Sequence, residues 1–181
     1  ISLEEAVEVP VSASRTGGEP GSFDALRLPH EALPEIDRGE VDLSAHFLGK
    51  PLALPLLIGS MTGGTEKAAQ INRTLAAAAQ ETGVGLGLGS QRILLERPEE
   101  AASFQIRNVA PDIPLFANIG AVQLLYGVTA ADCQHLVDLV GADGLVFHLN
   151  PAQEAVQPEG DTNFAGLLDA LRSVIPQINV P

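Results

Sequence analysis

Residues 84–120, VGLGLGSQRILLERPEEAASFQIRNVAPDIPLFANIG, decide how the chain is read. Two apolar runs, residues 84–90 (VGLGLGS) and 113–120 (IPLFANIG), enclose a segment with helix signals. Pro98 suits the first helical position, Glu99 and Glu100 complement the positive end of a helix dipole, and Pro111 closes the segment. Strand, helix and second strand in that order make a βαβ unit, and the two strands must then be parallel.

The same alternation continues outward on both sides. Residues 55–61 (PLLIGSM) and 144–150 (GLVFHLN) are two more runs, and the four begin 29, 29 and 31 residues apart. After the first run, Ala68, Ile71, Leu75 and Ala78 are expected to share one helical face, with Gly83 as the stop. After the third, Thr129 and Asp132 read as a capping box ahead of Cys133, Leu136, Val137 and Val140. After the fourth, Phe164, Leu167, Leu168, Leu171 and Val174 form a stripe that Pro176 ends. The runs are apolar almost throughout, as a sheet covered on both faces requires.

A repeat near 30 residues is what eight βα units in about 250 residues produce. A doubly wound open sheet uses the same unit, so the period alone leaves both folds open. Gln177-Ile178-Asn179-Val180-Pro181 reads as the start of a fifth strand, and four units do not close a barrel. The expectation is therefore an incomplete chain of α/β class: residues 51–181 as the first half, about four units, of a (β/α)8 TIM barrel. Residues 1–50 read as an N-terminal extension, with a turn-rich stretch at 9–22 expected to be mobile. Glu40 to Ser44 alternates and runs toward Gly49-Lys50, which suits a small hairpin. Ile1 is not an initiator methionine, so part of a natural N-terminus is expected ahead of it.

Charge and composition narrow the partners. The net charge is −13, with only ten Lys and Arg, which disfavours nucleic acid, whose phosphates need clustered basic residues. No run approaches the roughly 20 apolar residues of a membrane span, and no secretory signal opens the chain. A single cysteine, Cys133, rules out an internal disulfide and suits a reducing cytoplasm.

In an α/β barrel the chemistry sits at the C-terminal ends of the strands. Those ends are Ser60-Met61-Thr62-Gly63-Gly64, Gly89-Ser90-Gln91-Arg92, Asn118-Ile119-Gly120 and His148-Leu149-Asn150-Pro151-Ala152-Gln153-Glu154. Each is polar where its strand was apolar. Turn chemistry explains one such end, and Thr62 alone reads equally well as a helix cap. Four in succession point to a site. Ser90, Gln91 and Arg92 offer a hydroxyl, an amide and a guanidinium, a set suited to a diphosphate; pairing of Arg92 with Glu96 or Glu99 is the ordinary alternative. Asn118 inside an apolar strand needs partners, either neighbouring backbone or the edge of a heteroaromatic ring. His148 and Asn150 point the same way toward the mouth, and Glu154 carries the carboxylate oxygen that Mg2+ prefers. Glu159 and Asp161 belong to a polar loop above that mouth. No second histidine lies at zinc spacing, and Cys133 reads as inert core. His30, His46 and His135 stand alone and receive no role.

These strand ends, together with Gln157-Pro158-Glu159-Gly160-Asp161 and Phe47-Leu48-Gly49-Lys50, resemble the motif series of type 2 isopentenyl-diphosphate isomerases, in register from about Phe23 to Pro181. The run from His148 to Glu154 is the most specific part. The resemblance implies an FMN-dependent (β/α)8-barrel enzyme that converts isopentenyl diphosphate to dimethylallyl diphosphate, with Mg2+ and with NADPH to reduce the flavin. It implies a homo-oligomer, a tetramer or octamer. By motif, Ser60, Met61, Thr62, Ser90 and Asn118 would contact FMN; Ser90, Gln91 and Arg92 would hold the diphosphate. Gln153 would lie beside the isoprenoid, His148 and Asn150 would form the same catalytic wall, and Glu154 would reach Mg2+. The family's N-terminal Arg-Lys motif is not found in this chain, its later flavin-phosphate glycines and lysine would lie beyond Pro181, and Ala152 stands where a larger apolar residue is usual. The competing readings are an FMN-dependent barrel oxidoreductase of a small hydroxy acid, whose base and arginine would sit on later strands, and a non-catalytic barrel remnant.

Overall fold

A computed structural model describes residues 29–181. The chain divides into Ile1–Asp42 and Leu43–Pro181. In the first unit the described residues hold one 3-10 turn, Arg38–Glu40, capped by the Asp37 carboxylate, which accepts the Gly39 N–H at 2.7 Å. The stretch at 9–22 expected to be mobile lies outside the described residues.

The second unit opens with a hairpin of β1 (Ala45–Phe47) and β2 (Lys50–Leu52). Its turn residues Leu48 and Gly49 both have positive φ, 51° and 77°, the two-residue geometry that matches strand twist. The alternating stretch at 40–44 is not a strand. Glu40 ends the 3-10 turn, and the tight turn at 48–49 sets the pairing from Ala45 onward. Phe47 meets Phe116 with ring centroids 5.8 Å apart, joining the hairpin to the sheet.

The main sheet contains β3 (Leu57–Ile58), β4 (Gly85–Gly87), β5 (Leu115–Gly120) and β6 (Gly144–His148), all parallel, in the spatial order β3-β4-β5-β6. Spatial order follows chain order and no reversal occurs among these strands. β5 is buried at every position, as its unbroken apolar run requires, whereas β6 is only half-buried beyond Gly144. The Leu145 N–H donates to the Pro181 carbonyl at 2.8 Å, so the chain returns along the outer edge of β6 where a further strand was expected.

Between β3 and β4 runs α1 (Glu66–Thr82), capped by Thr65, whose hydroxyl accepts the Ala68 N–H, and stopped by Gly83 at φ 67°. Its buried face is Ala68, Ala69, Asn72, Ala76 and Ala79; Ile71 and Leu75 are half-buried and Ala78 is exposed. The expected stripe is thus turned, because Asn72 is drawn inward by two carbonyls. Its amide donates to Thr62 at 3.1 Å and to Ser103 at 2.9 Å.

The helix expected from Pro98 is replaced by two short pieces, α2 (Arg92–Glu96) and a 3-10 stretch Pro98–Ser103. Arg97 at φ −133° breaks the helical path, and the Ser103 hydroxyl donates to Glu100 while accepting the Gly64 N–H at 2.9 Å. Phe104 then drops fully buried into the core. A Cβ on Gly63 would stand 1.9 Å from the Phe104 ring. That ring is fully buried, so Gly63→Ala is expected to cost about 1–3 kcal/mol by overpacking, read as a lowered Tm; an unchanged Tm would show that the ring can shift.

α3 (Ala130–Val140) has the expected capping box, with Thr129 and Asp132 satisfying each other, and buries Cys133, Leu136, Val137 and Val140. α4 (Pro151–Val156) and α5 (Leu167–Val174) follow β6. The stripe of α5 is half-buried at Phe164, Leu167, Leu171 and Val174, but Leu168 is exposed. Among the described residues no helix is long and apolar enough to cross a membrane.

The N-terminal ends of the strands are tied by Asp143. Its carboxylate meets Lys50 Nζ at 2.9 Å and Arg107 Nη2 at 2.8 Å, and accepts the Leu115 N–H at 2.9 Å. Lys50 and Arg107 also donate to the Ile113 carbonyl at 3.2 and 2.9 Å. One carboxylate therefore fastens the hairpin, the segment before β5 and the start of β6.

Candidate functional site

The opposite, C-terminal edge of the sheet carries the polar strand ends. Asn118, buried within β5, lies at the centre. Its Nδ2 donates to the Ser60 hydroxyl at 3.0 Å, and its Oδ1 lies 2.7 Å from His148 Nδ1. One amide thus joins residues at the ends of β3, β5 and β6, and still has one N–H and one lone pair to offer. Burial pushes the His148 pKa below its usual value, against a smaller opposite pull from the Glu154 carboxylate. The imidazole is therefore neutral near pH 7.

Ser60 and Ser90 are exposed on this edge, Thr62 is half-buried, and Met61 is 74% exposed. Hydroxyls, an amide and a bare thioether side by side suit a ligand that is flat, partly apolar and hydrogen-bonding at its rim. The cap of α1 is Thr65, so Thr62 is not spent as a helix cap. Gly89 is obligatory here, since a Cβ would meet the Thr62 backbone at 2.6 Å.

The structure corrects Gln91. Its side chain is fully buried, with Oε1 accepting the Asn118 N–H at 3.0 Å and Nε2 directed at the Leu136 carbonyl at 3.5 Å. The Gln91 N–H also donates to the Asn118 carbonyl at 2.8 Å. Gln91 holds the end of β5 from inside, apart from the exposed Ser90 and Arg92 with which the sequence groups it. Arg92 is about half exposed and pairs with Asp161 at 3.4 Å, not with Glu96 or Glu99.

After β6, Glu154 is 8% exposed although it begins a polar helix. Oε1 accepts from Asn150 Nδ2 at 2.8 Å and Oε2 from the Asp161 N–H at 2.8 Å. Asn150 Oδ1 is buried and, among the described residues, has no hydrogen-bond partner. The Glu154 carboxylate supplies the hard oxygen that a Mg2+ ion keeping several of its waters takes, while Asn150 turns its Nδ2, not its Oδ1, toward that carboxylate. No group of three His, Cys, Asp or Glu forms a closed metal site among the described residues. Gln153 is exposed beside Glu154.

Two contributors were not singled out from the sequence. Gln123, 8% exposed, donates to Asp161 Oδ2 at 2.6 Å, and Asn72 braces the Thr62 turn from α1. The available signal for Gln123 was a lone amide in the apolar run from Ala121 to Tyr126; Asn72, between Gln70 and Arg73, carried no such signal. Cys133 is fully buried, and burial, with Asp132 adding to it, pushes its thiol up to about 11, so it is protonated and inert.

No family model matches the chain. Among curated proteins it is 47% identical over 178 residues to one named isopentenyl-diphosphate delta-isomerase from Rickettsia akari, covering 98% of this chain and 52% of that protein. The protein of the same name from Rickettsia felis is 50% identical over 171 residues, covering 94% and 48%. That from Rickettsia bellii is 48% identical over 178 residues, covering 98% and 52%. The chain spans about half the length of the curated relatives it matches. A match of 178 of the 181 residues takes in every strand end described above, and over that length the chain is a homologue of proteins named isopentenyl-diphosphate delta-isomerase.

Proposed function

We propose that the protein converts isopentenyl diphosphate to dimethylallyl diphosphate as a type 2, FMN-dependent isomerase, and that residues 51–181 are the first half of its (β/α)8 barrel. The observation that carries this reading is the likeness of 47% over 178 residues to proteins named for that reaction. The sequential parallel strand order and the return of Pro181 to the edge of β6 support the barrel. The polar line from Ser60 through Asn118 to His148 supports a planar ligand on its C-terminal face.

The reaction is redox-neutral: a proton joins the terminal alkene carbon, positive charge develops at the branched carbon, and a neighbouring C–H loses its proton. Reduced FMN, when bound, supplies the acid–base group and an electron-rich face for that charge. Ser60, Met61, Thr62, Ser90 and Asn118 orient the ring. Arg92 and the Ser90 hydroxyl bind the diphosphate. Glu154 would hold Mg2+ against it, and Gln153 would lie beside the isoprenoid. His148, kept neutral by burial, adds no positive charge to the wall facing a developing cation. NADPH would supply the reducing equivalents for the flavin.

Two expected results test the cofactor and the metal. Asn118→Leu removes the amide that joins Ser60 and His148, and is expected to weaken FMN binding about tenfold or more in a fluorescence titration. Unchanged affinity would remove Asn118 from the flavin site. Glu154→Gln is expected to raise the Mg2+ concentration for half activity, because a neutral amide supplies no charge to the ion. Gln153→Ala should instead lower kcat with the Mg2+ profile intact. An unaltered Mg2+ profile in Glu154→Gln would leave the metal on the substrate alone, and full activity in both variants would sink the isomerase reading.

A further inference from the structure

We propose that Asp161 is a positioning residue for Arg92, setting the guanidinium at the mouth of the site; this rests on the diphosphate role given to Arg92 above. Three strand ends converge on this one residue. Its Oδ2 accepts from Gln123 Nε2 at 2.6 Å, from the 3-10 turn after β5, and from Arg92 Nη1 at 3.4 Å, at the start of α2 after β4. Its N–H donates to Glu154 Oε2 at 2.8 Å, in the helix after β6.

The tether on the Gln123 side is the firm one. Gln123 is 8% exposed and its contact is short, whereas the Arg92 contact is long and single, with the Arg92 side chain about half exposed. The loop lies close against the helix after β6. A Cβ on Gly160 would overlap the Glu154 backbone carbonyl, at 1.8 Å, so the chain just before Asp161 lies directly on α4. Asp161 is therefore a fixed acceptor, and Arg92 is the mobile partner. Of the acidic neighbours on the same stretch of chain, Glu100 pairs with Arg97.

One contact of this kind uses one of five guanidinium N–H groups and leaves the rest for an anion. It also biases the Arg92 rotamers toward the mouth, so that less freedom is left to lose on binding. The carboxylate's own charge opposes a diphosphate, so the proposal requires that orientation outweigh repulsion. That makes the sign of the effect diagnostic.

The test uses the protein at its natural length with two readouts, calorimetric binding of inorganic diphosphate and KM against kcat for isopentenyl diphosphate. Asp161→Ala is expected to weaken diphosphate binding and raise KM about tenfold, with kcat within about twofold. Asp161→Asn keeps an acceptor for both Gln123 and Arg92 and should restore affinity to within about threefold of the wild type. On an Arg92→Ala background, Asp161→Ala should add nothing. Should Asp161→Ala fail to fold, Gln123→Leu, which cuts the buried tether and leaves the carboxylate, is expected to weaken diphosphate severalfold. The proposal is overturned if Asp161→Ala tightens binding or leaves it unchanged, if Asp161→Asn is as weak as alanine, or if the effect persists without Arg92. Unchanged binding in Gln123→Leu overturns it equally. If Arg92→Ala weakens diphosphate and Asp161→Ala does not, this proposal alone falls; if Arg92→Ala also binds diphosphate normally, the diphosphate role of Arg92 falls with it.

Discussion

Arg92→Ala is expected to raise KM for isopentenyl diphosphate by about 30- to 1000-fold, corresponding to about 2–4 kcal/mol of lost binding. The size follows from scarcity as well as geometry. The chain carries ten basic residues against 23 acidic ones, so an anion finds few other cations. Lys50 and Arg107, the most firmly held of them, are committed to Asp143 at the far end of the strands. Arg92 sits on the C-terminal edge with one long contact to Asp161 and most of its donors open. The effect should fall on KM, with kcat changed less, because the diphosphate is remote from the carbon that is protonated. A steady-state titration with Mg2+ and reduced flavin saturating decides it. A KM within about twofold of the wild type would make Arg92 an ordinary surface cation.

Asp143→Ala should be the most destabilising change at the other end of the sheet, by about 2–4 kcal/mol. Removing the carboxylate takes the counter-charge from two partly buried cations, Lys50 and Arg107, and deprives the Leu115 N–H of its acceptor. Burial works to raise the Asp143 pKa, but the Leu115 N–H, Lys50 and Arg107 outweigh it, and the carboxyl lies below its usual range. A depressed folded pKa stabilises above the unfolded value, about 3.9 for Asp, and that contribution is lost as pH falls through the folded value. The Tm gap between wild type and Asp143→Asn is therefore expected to stay level between about pH 6 and 8 and to close below about pH 4. A gap independent of pH would mean that shape, and not charge, is what Asp143 supplies.

Much of the secondary structure was legible because each signal was local. The capping box at Thr129 and Asp132, the stop at Gly83 and the apolar run of each of the four strands all rest on residues within one turn or one strand of each other. The misreadings occurred where a distant partner intervened. Ala78 was placed on the buried face of α1, but the Thr62 and Ser103 carbonyls pull Asn72 inward and turn the helix. The helix expected from Pro98 was broken because Ser103 reaches back to Gly64 and Phe104 leaves the surface for the core.

The site divides along the same line. Residue type and position at the strand ends singled out Ser60, Arg92, Asn118, His148, Asn150 and Glu154, since a polar group at the end of a buried strand needs a reason to be there. Their relations could not be read in that way. Gln91 and Arg92 are neighbours in sequence and looked like one anion-binding pair. Only the packed sheet turns Gln91 under β5 to hold the Asn118 N–H and leaves Arg92 outside. Asp161 is 69 residues from Arg92 and 38 from Gln123, a separation at which no local rule operates. The alternation of strand and helix and the list of polar ends were thus determined by local pattern, which a one-dimensional sequence carries in full. Which amide is buried, which guanidinium is open and which carboxylate faces it were decided by parallel pairing, because strands about 30 residues apart in the chain become adjacent only in the sheet.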